Sequence, residues 1–369
     1  MKQLLSSLHV YLITFFVSSF LFACHNTRPV QVPDSLNPLP IRLGDPFILH
    51  ASDGQYYMYG TSLADGFEAF TSPDLQTWTA CGQVYRGGMP EQWNVDCFWA
   101  PEVYERDGRF YLFYSANKRD NPEGDLEVFR IGVAVSDSPK GPFHDLINRP
   151  IFELSYPVID ANVFFDDAEG RCYLYFSRCC YKHAVDSELA DSLRAAGSFA
   201  EIEESWVYGV ELQPDFSGII GEPVLLLAPP THLADVQAEW ESRSASSGEV
   251  GRRWTEGSFL FREGDTYYMM YSANSYQGAH YAVGYATADA PLGPFTKSAS
   301  NPVLQENVSL GGTVMGTGHN MMFRDAEGRM RTAYHGRLAS NPDERVAFID
   351  FMDITSNGDL VIHGPTVKE

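Results

Sequence analysis

The chain has 369 residues, 14% of them aromatic, and a formal charge of −22. That length supports one large core or two smaller ones, and the wealth of Tyr and Phe favours strands, since rings suit a pleated, half-buried surface. The acidity excludes nucleic acid as a partner, because little here neutralises a run of phosphates; otherwise it speaks to solubility and names no substrate.

At the N-terminus, Lys2 precedes an apolar stretch from Leu8 to Phe22 that ends Leu21-Phe22-Ala23-Cys24. A basic start, a short apolar run and a small residue before the cut describe a secretory signal over residues 1–23. The alternative, a membrane anchor, is disfavoured because the run is short and broken by Thr14, Ser18 and Ser19. The ending resembles a bacterial lipoprotein cleavage box. That resemblance implies a lipidated Cys24, a tether over residues 24–40, membrane attachment through this anchor alone, and export to the outer membrane, periplasm or cell surface. Cys81, Cys97, Cys172, Cys179 and Cys180 have no metal-ligand spacing and are expected to be mostly small buried hydrophobes, not a disulfide framework.

From residue 41 onward one unit recurs five times: a polar or charged start, a few apolar residues, a turn, then an aromatic run. The copies begin Asp45-Pro46-Phe47-Ile48, Trp99-Ala100-Pro101-Glu102, Asp160-Ala161-Asn162-Val163, Glu256-Gly257-Ser258-Phe259 and His319-Asn320-Met321-Met322. Their aromatic runs are Tyr56–Tyr59, Tyr111–Tyr114, Tyr173–Phe176, Tyr267–Tyr271 and Tyr334-His335. Each unit continues into a further strand-like segment, such as Ile131–Val135 or Tyr281–Ala286. A turn follows, such as Ser138-Pro139-Lys140-Gly141, and often a last short segment such as Pro302-Val303-Leu304. Three or four short strands joined by Gly, Pro and Asp turns make an antiparallel blade. Five arranged radially make an all-β fold, a five-bladed β-propeller spanning residues 41–369. A β-sandwich would have no reason to repeat one unit five times.

The unit starts Asp45, Trp99, Asp160, Glu256 and His319 are 54, 61, 96 and 63 positions apart. The long third interval holds Lys182–Ser205, a charged helical patch, and Thr231–Arg253, a polar stretch just ahead of Trp254. Long loops on a propeller commonly wall a binding site.

The first strand of each propeller blade lines the central channel, so these starts face one another across the axis. Asp45, Asp160 and Glu256 thus bring three carboxylates to one end of a tapered pocket, a costly arrangement unless it is used. Glycoside hydrolysis needs this inventory: one carboxylate kept ionised to activate water, another kept protonated to donate to the leaving oxygen.

The motifs Arg42-Leu43-Gly44-Asp45-Pro46, Trp99-Ala100-Pro101-Glu102, Val158-Ile159-Asp160-Ala161-Asn162-Val163-Phe164, Trp254-Thr255-Glu256-Gly257-Ser258-Phe259 and Gly316-Thr317-Gly318-His319-Asn320 together resemble family 43 glycoside hydrolases. The resemblance covers the chain from Ile41 onward. It implies that Asp45 is the general base, Glu256 the general acid, and Asp160 the carboxylate that raises the acid's pKa and orients it, with inversion at the anomeric carbon. It also matches Arg337 to an Arg that approaches substrate hydroxyls, and His319 to a His that holds a Ca²⁺ in the channel of arabinan-cleaving members. A hydrogen-bonding His and a surface ion-paired Arg are the alternatives. Trp99 is expected either to stack on a sugar face or to pack the channel wall. Ser258 stands where the family usually has Pro, and Ala161-Asn162 where a Pro is frequent; both touch the rim that contacts sugar.

These readings together describe an exported glycosidase acting on arabinose- or xylose-containing plant polysaccharide. Exo-acting α-L-arabinofuranosidase or β-xylosidase leads, endo-1,5-α-L-arabinanase is the neighbouring alternative, and a sugar-binding propeller lipoprotein is the non-enzymatic one. A retaining fructan-cleaving enzyme is disfavoured, since Gly44-Asp45-Pro46-Phe47 lacks the Asn residues that flank the nucleophile in that group.

Overall fold

A computed structural model describes residues 37–125, 127–179, 185–196, 201–243 and 250–368. The expected signal segment, Cys24, most of the tether and Cys180 lie outside the described residues. The aromatic runs become the second strands of five four-stranded antiparallel sheets. Their residues are buried almost without alternation, as in Tyr56–Thr61 and Arg171–Arg178. A strand buried on both faces has no polar side to show, so its sequence is a continuous apolar run. This is the five-bladed propeller expected from the repeat.

Buried tyrosines tie one blade to the next. Tyr59 donates to the Pro139 carbonyl at 2.6 Å and Tyr175 to the Pro291 carbonyl at 2.8 Å. Both acceptors lie in Pro-Xaa-Gly turns that the sequence marks between strands. Each ring thus fills inter-blade space while its hydroxyl finds a partner, as a buried hydroxyl must.

The ring is closed by the segment ahead of blade 1. Leu39 donates its N–H to the Ala347 carbonyl at 2.9 Å, and Ala347 donates to the Ile41 carbonyl at 3.1 Å. The Asn37 side chain brackets Ile349, donating to its carbonyl at 3.0 Å and accepting from its N–H at 2.9 Å. Residues 37–41 therefore run beside Asn341–Ile354, the third strand of blade 5, and the folded domain starts ahead of Ile41.

The long third interval carries the helix Glu188–Ala195, capped by the Ser187 side chain, and a parallel pair of short strands, Glu201–Glu204 and Val250–Arg253. Arg253 is fully buried and paired with Glu204. An unpaired charge at that depth would cost several kcal/mol, so the pair fixes the chain just before Trp254. Cys172 and Cys179 are buried in apolar clusters, while Cys81 and Cys97 are half-buried.

Candidate active site

The first strands are Gly44–His50, Trp99–Arg106, Val158–Asp166, Thr255–Glu263 and Val314–Arg324. Each breaks register with its second strand near the start. In blade 1 the partners are Gly44 with Thr61 and then Phe47 with Tyr59; in blade 4 they are Glu256 with Ser272 and then Phe259 with Met270. Trp99/Glu102, Ile159/Asn162 and Gly318/Met321 flank the same irregularity in the other blades. Two residues on one strand thus oppose one on the other, a β-bulge, which re-aims a side chain at a sheet end.

The leading bulge residue is left-handed in every blade: Asp45 (φ 55°), Ala100 (45°), Asp160 (60°), Gly257 (56°) and His319 (48°). Four of these carry side chains in a region that costs roughly 1–3 kcal/mol to occupy, strain that clusters at functional sites. The sequence alignment of starts is corrected by this register. Asp45, Asp160 and His319 are equivalent, but Trp99 and Glu256 each stand one residue earlier, at the positions of Gly44, Ile159 and Gly318.

A ring of inter-blade hydrogen bonds holds the five bulges. The Ala100 N–H donates to Thr61 Oγ1 (2.9 Å), Asp160 to Ser115 Oγ (2.9 Å), Gly257 to Ser177 Oγ (3.3 Å) and His319 to Ser272 Oγ (2.7 Å). At the junction of blades 5 and 1 the Asp45 N–H donates instead to His335 Nδ1, at 3.1 Å.

Asp45, Trp99, Asp160, Glu256 and His319 all line one cavity with about 600 Å³ of open space, together with Ile159, Trp254, Tyr276, Tyr281 and Arg345. Asp45 Oδ1 accepts from Arg345 at 3.0 Å and Oδ2 from Thr61 at 2.6 Å, with His319 Nδ1 3.4 Å from Oδ1. Burial works against ionisation of Asp45, but Arg345 and His319 beside it outweigh that and hold the carboxyl well below its ordinary value. Glu256 is pushed the other way, well above its ordinary value, first by burial and then by the charges of Asp160 and Asp45; the hydroxyl of Tyr281, donating at 2.8 Å, offsets part of this. Asp160 is also raised, mainly by burial. Its Oδ2 accepts from Ser177 at 3.3 Å and from the Gly257 N–H at 3.2 Å, which joins it to the residue after Glu256.

Two glycines make this packing possible. A Cβ on Gly44 would come within 2.0 Å of the Arg345 guanidinium carbon, and one on Gly318 within 2.2 Å of the Tyr281 ring. Arg345 and Tyr281 occupy the space these residues leave empty.

Arg337, expected to approach the substrate, does not line the cavity. Its guanidinium donates to the carbonyls of Pro342 (2.9 Å) and Tyr276 (3.1 Å), which pins the hairpin that carries Arg345. Arg345 is the cation that faces the cavity, lying 5.1 Å from the centroid of the Tyr276 ring. Trp99 lines the cavity with its ring 4.5 Å from Phe129, and Trp254, just after the inserted stretch, is a second wall. Sequence reasoning named no role for Arg345, Tyr281, Tyr276 or His335; the Asp343-Glu344-Arg345 run reads as a solvated turn.

Around His319 the described residues supply few protein ligands for a Ca²⁺ ion. Among the described residues no group of three or more His, Cys, Asp or Glu is placed to hold a metal ion. The carboxylate facing His319 is Asp45, already neutralised by Arg345. A hard cation that takes six to eight oxygens finds little here, and His319 reads as part of the charge environment of Asp45.

Residues 35–360 match the family described as glycosyl hydrolases family 43. A β-D-galactofuranosidase of Aspergillus niger is 27% identical over 330 residues, 84% of this chain and 79% of that protein. A xylosidase/arabinosidase of Bacteroides ovatus is 26% identical over 271 residues, 69% of this chain and 76% of that protein. Among solved structures, a thermostable family-43 glycoside hydrolase superposes with a TM-score of 0.75 at 32% identity, covering 89% of this chain and 96% of that one. Propeller, carboxylate cluster and family match agree: the chain belongs to glycosyl hydrolase family 43 and is a glycoside hydrolase.

Proposed function

We propose that the enzyme is an inverting exo-glycosidase that releases single arabinofuranosyl or xylosyl units from plant polysaccharides or their oligosaccharides. The observation that carries the mechanism is the opposite treatment of two carboxyls in one cavity. Asp45, paired with Arg345 and Thr61, stays ionised and takes a proton from the attacking water. Glu256, buried beside Asp160, keeps its proton and gives it to the departing glycosidic oxygen. Asp160 acts through Glu256: its charge holds the acid protonated, and its bond to the Gly257 N–H fixes the backbone beside it. After bond cleavage Asp45 carries the proton from water and Glu256 is ionised, so both return to their starting states by exchange with solvent.

The walls support a single-sugar pocket. Trp99 and Trp254 line it, and rings of this kind stack on the apolar face of a sugar. The Bacteroides ovatus relative named a xylosidase/arabinosidase favours a pentose, whereas the Aspergillus niger relative named a β-D-galactofuranosidase keeps a larger furanose in view. The deciding experiment is a panel of aryl α-L-arabinofuranoside, β-D-xyloside and β-D-galactofuranoside with debranched arabinan, the released anomer followed by NMR. Hydrolysis of an aryl pentoside with the inverted anomer appearing first is expected. Cleavage of arabinan alone would favour endo action, and a retained first anomer would overturn the mechanism. The pattern ending in Cys24 also supports export and lipidation there; a Cys24→Ala chain recovered without lipid, beside a wild type that carries it, is the expected result.

A further inference from the structure

Around the ring of bulges, four N–H groups are held by small hydroxyls, those of Thr61, Ser115, Ser177 and Ser272, and the fifth by an imidazole. Blade closure alone does not require this exception, because a hydroxyl does the same work four times over. The imidazole differs in what else it touches. His335 is fully buried and lies face to face with Tyr281, ring centroids 5.5 Å apart and planes within 15°. The Tyr281 hydroxyl is the one that donates to Glu256. Nδ1 accepts from the Asp45 N–H at 3.1 Å and lies 3.4 Å from Asp45 Oδ1, and burial lowers the ring's pKa to about 4; this geometry assigns a neutral ring with its proton on Nε2. That nitrogen is buried and has no hydrogen-bond partner among the described residues, so the ring is located by Asp45 at its edge and Tyr281 on its face.

We propose that His335 is a positioning residue: its edge fixes the backbone of Asp45 while its face fixes the ring that orients Glu256, so one imidazole sets the spacing of the two carboxyls. In an inverting glycosidase that spacing must admit one water beside the sugar. A displacement near 1 Å costs on the order of 100-fold in rate. The inference rests on Asp45 and Glu256 acting as base and acid.

The test is His335→Ser, which installs the hydroxyl used at three other junctions. It keeps an acceptor for the Asp45 N–H but removes the surface on which Tyr281 rests. The expected result is a cooperatively folded protein whose kcat falls on the order of 10- to 100-fold with KM changed by less than about threefold. Wild-type kcat in His335→Ser would show that the ring serves blade closure only, and a loss shared with a collapsed melting temperature would assign it a merely structural part; either overturns the proposal. Nitrogen-15 NMR of histidine-labelled wild type supplies a reading that needs no variant. The neutral Nε2–H form is expected at neutral pH, and an imidazolium or Nδ1–H form overturns the geometry. Asp45→Asn separates the two readings: activity retained there would retire Asp45 as base while leaving the NMR expectation standing.

Discussion

Arg345 reaches Asp45 across the bare face of Gly44. The guanidinium lies 3.0 Å from Asp45 Oδ1, in the volume a Cβ on Gly44 would fill. A backbone position and a side chain 301 residues apart in sequence thus form one device, and two unrelated substitutions should give one phenotype. Arg345→Gln removes the cation, and Gly44→Ala expels it. Both should lower kcat/KM on the order of tenfold or more and move the acid limb of the pH profile upward, since Asp45 loses the strongest of the charges that keep it ionised. Should Gly44→Ala retain the wild-type acid limb while Arg345→Gln does not, the steric link between them is wrong.

The opposite shifts of Asp45 and Glu256 fix the shape of that profile. The base must be ionised, and Asp45 is held below its ordinary value; the acid must be protonated, and Glu256 is held well above its own. The plot of kcat/KM against pH should therefore be a broad bell, its acid limb below and its alkaline limb above the ordinary carboxylate range. Both limbs belong to the coupled cluster as a whole. Tyr281→Phe removes the hydrogen bond that partly stabilises the Glu256 carboxylate, so its alkaline limb should move further up. A limb that moves down would mean that Tyr281 does not govern the acid.

Much of this site was legible in the residues, and the part that was not has a geometric cause. The five aromatic runs announced blades because strands buried on both faces need uninterrupted apolar sequence. Asp45, Asp160 and Glu256 stood out because carboxylates are rare at channel-facing positions. The register of Trp99 and Glu256 was off by one because a bulge places two residues opposite one without any signature in composition. Arg345 carries no local signal, because a charged run such as Pro342-Asp343-Glu344-Arg345 is indistinguishable in sequence from a solvated turn. The propeller's closure, which seats blade 5 beside blade 1, cannot be read from local pattern. His335 was visible only as the end of a shortened aromatic run.

One layer below the bulges, Glu102 is buried with Tyr104 and the Asn162 side chain donating to its Oε2. Burial dominates and raises its pKa to about 8, with Asp160 adding to the shift and the two hydrogen bonds opposing it. The folded protein thus keeps a proton that the unfolded chain releases near its ordinary value of 4.5. Stability from this group is fully present below that value and is lost as pH climbs toward 8, to a ceiling of about 5 kcal/mol. Glu102→Gln preserves the acceptor oxygen and cannot ionise. Its melting temperature should match wild type near pH 5 and exceed it increasingly from pH 6 to 8.5. Parallel melting curves across that range would show that Glu102 ionises in the fold at no cost.

Glu256 offers the sharpest separation of acid catalysis from every other contribution. Its carboxyl is buried at the pocket wall and held by Tyr281, so Glu256→Gln keeps size and hydrogen-bonding capacity but has no proton to give. Loss of general-acid assistance costs roughly 10²–10⁴-fold, and the cost depends on how much the leaving oxygen needs a proton. With a poor leaving group, such as the next sugar of an oligosaccharide, the full loss is expected. A dinitrophenyl glycoside, whose phenolate departs unaided, should be hydrolysed at a rate much nearer that of wild type. Asp45→Asn should slow both substrates alike, because water must be activated whichever group departs. The measurement is the ratio of kcat/KM on the two substrates for each variant. Equal losses on both in Glu256→Gln would remove it as the acid and turn attention to Asp160, the other carboxyl whose pKa is raised in the same cavity.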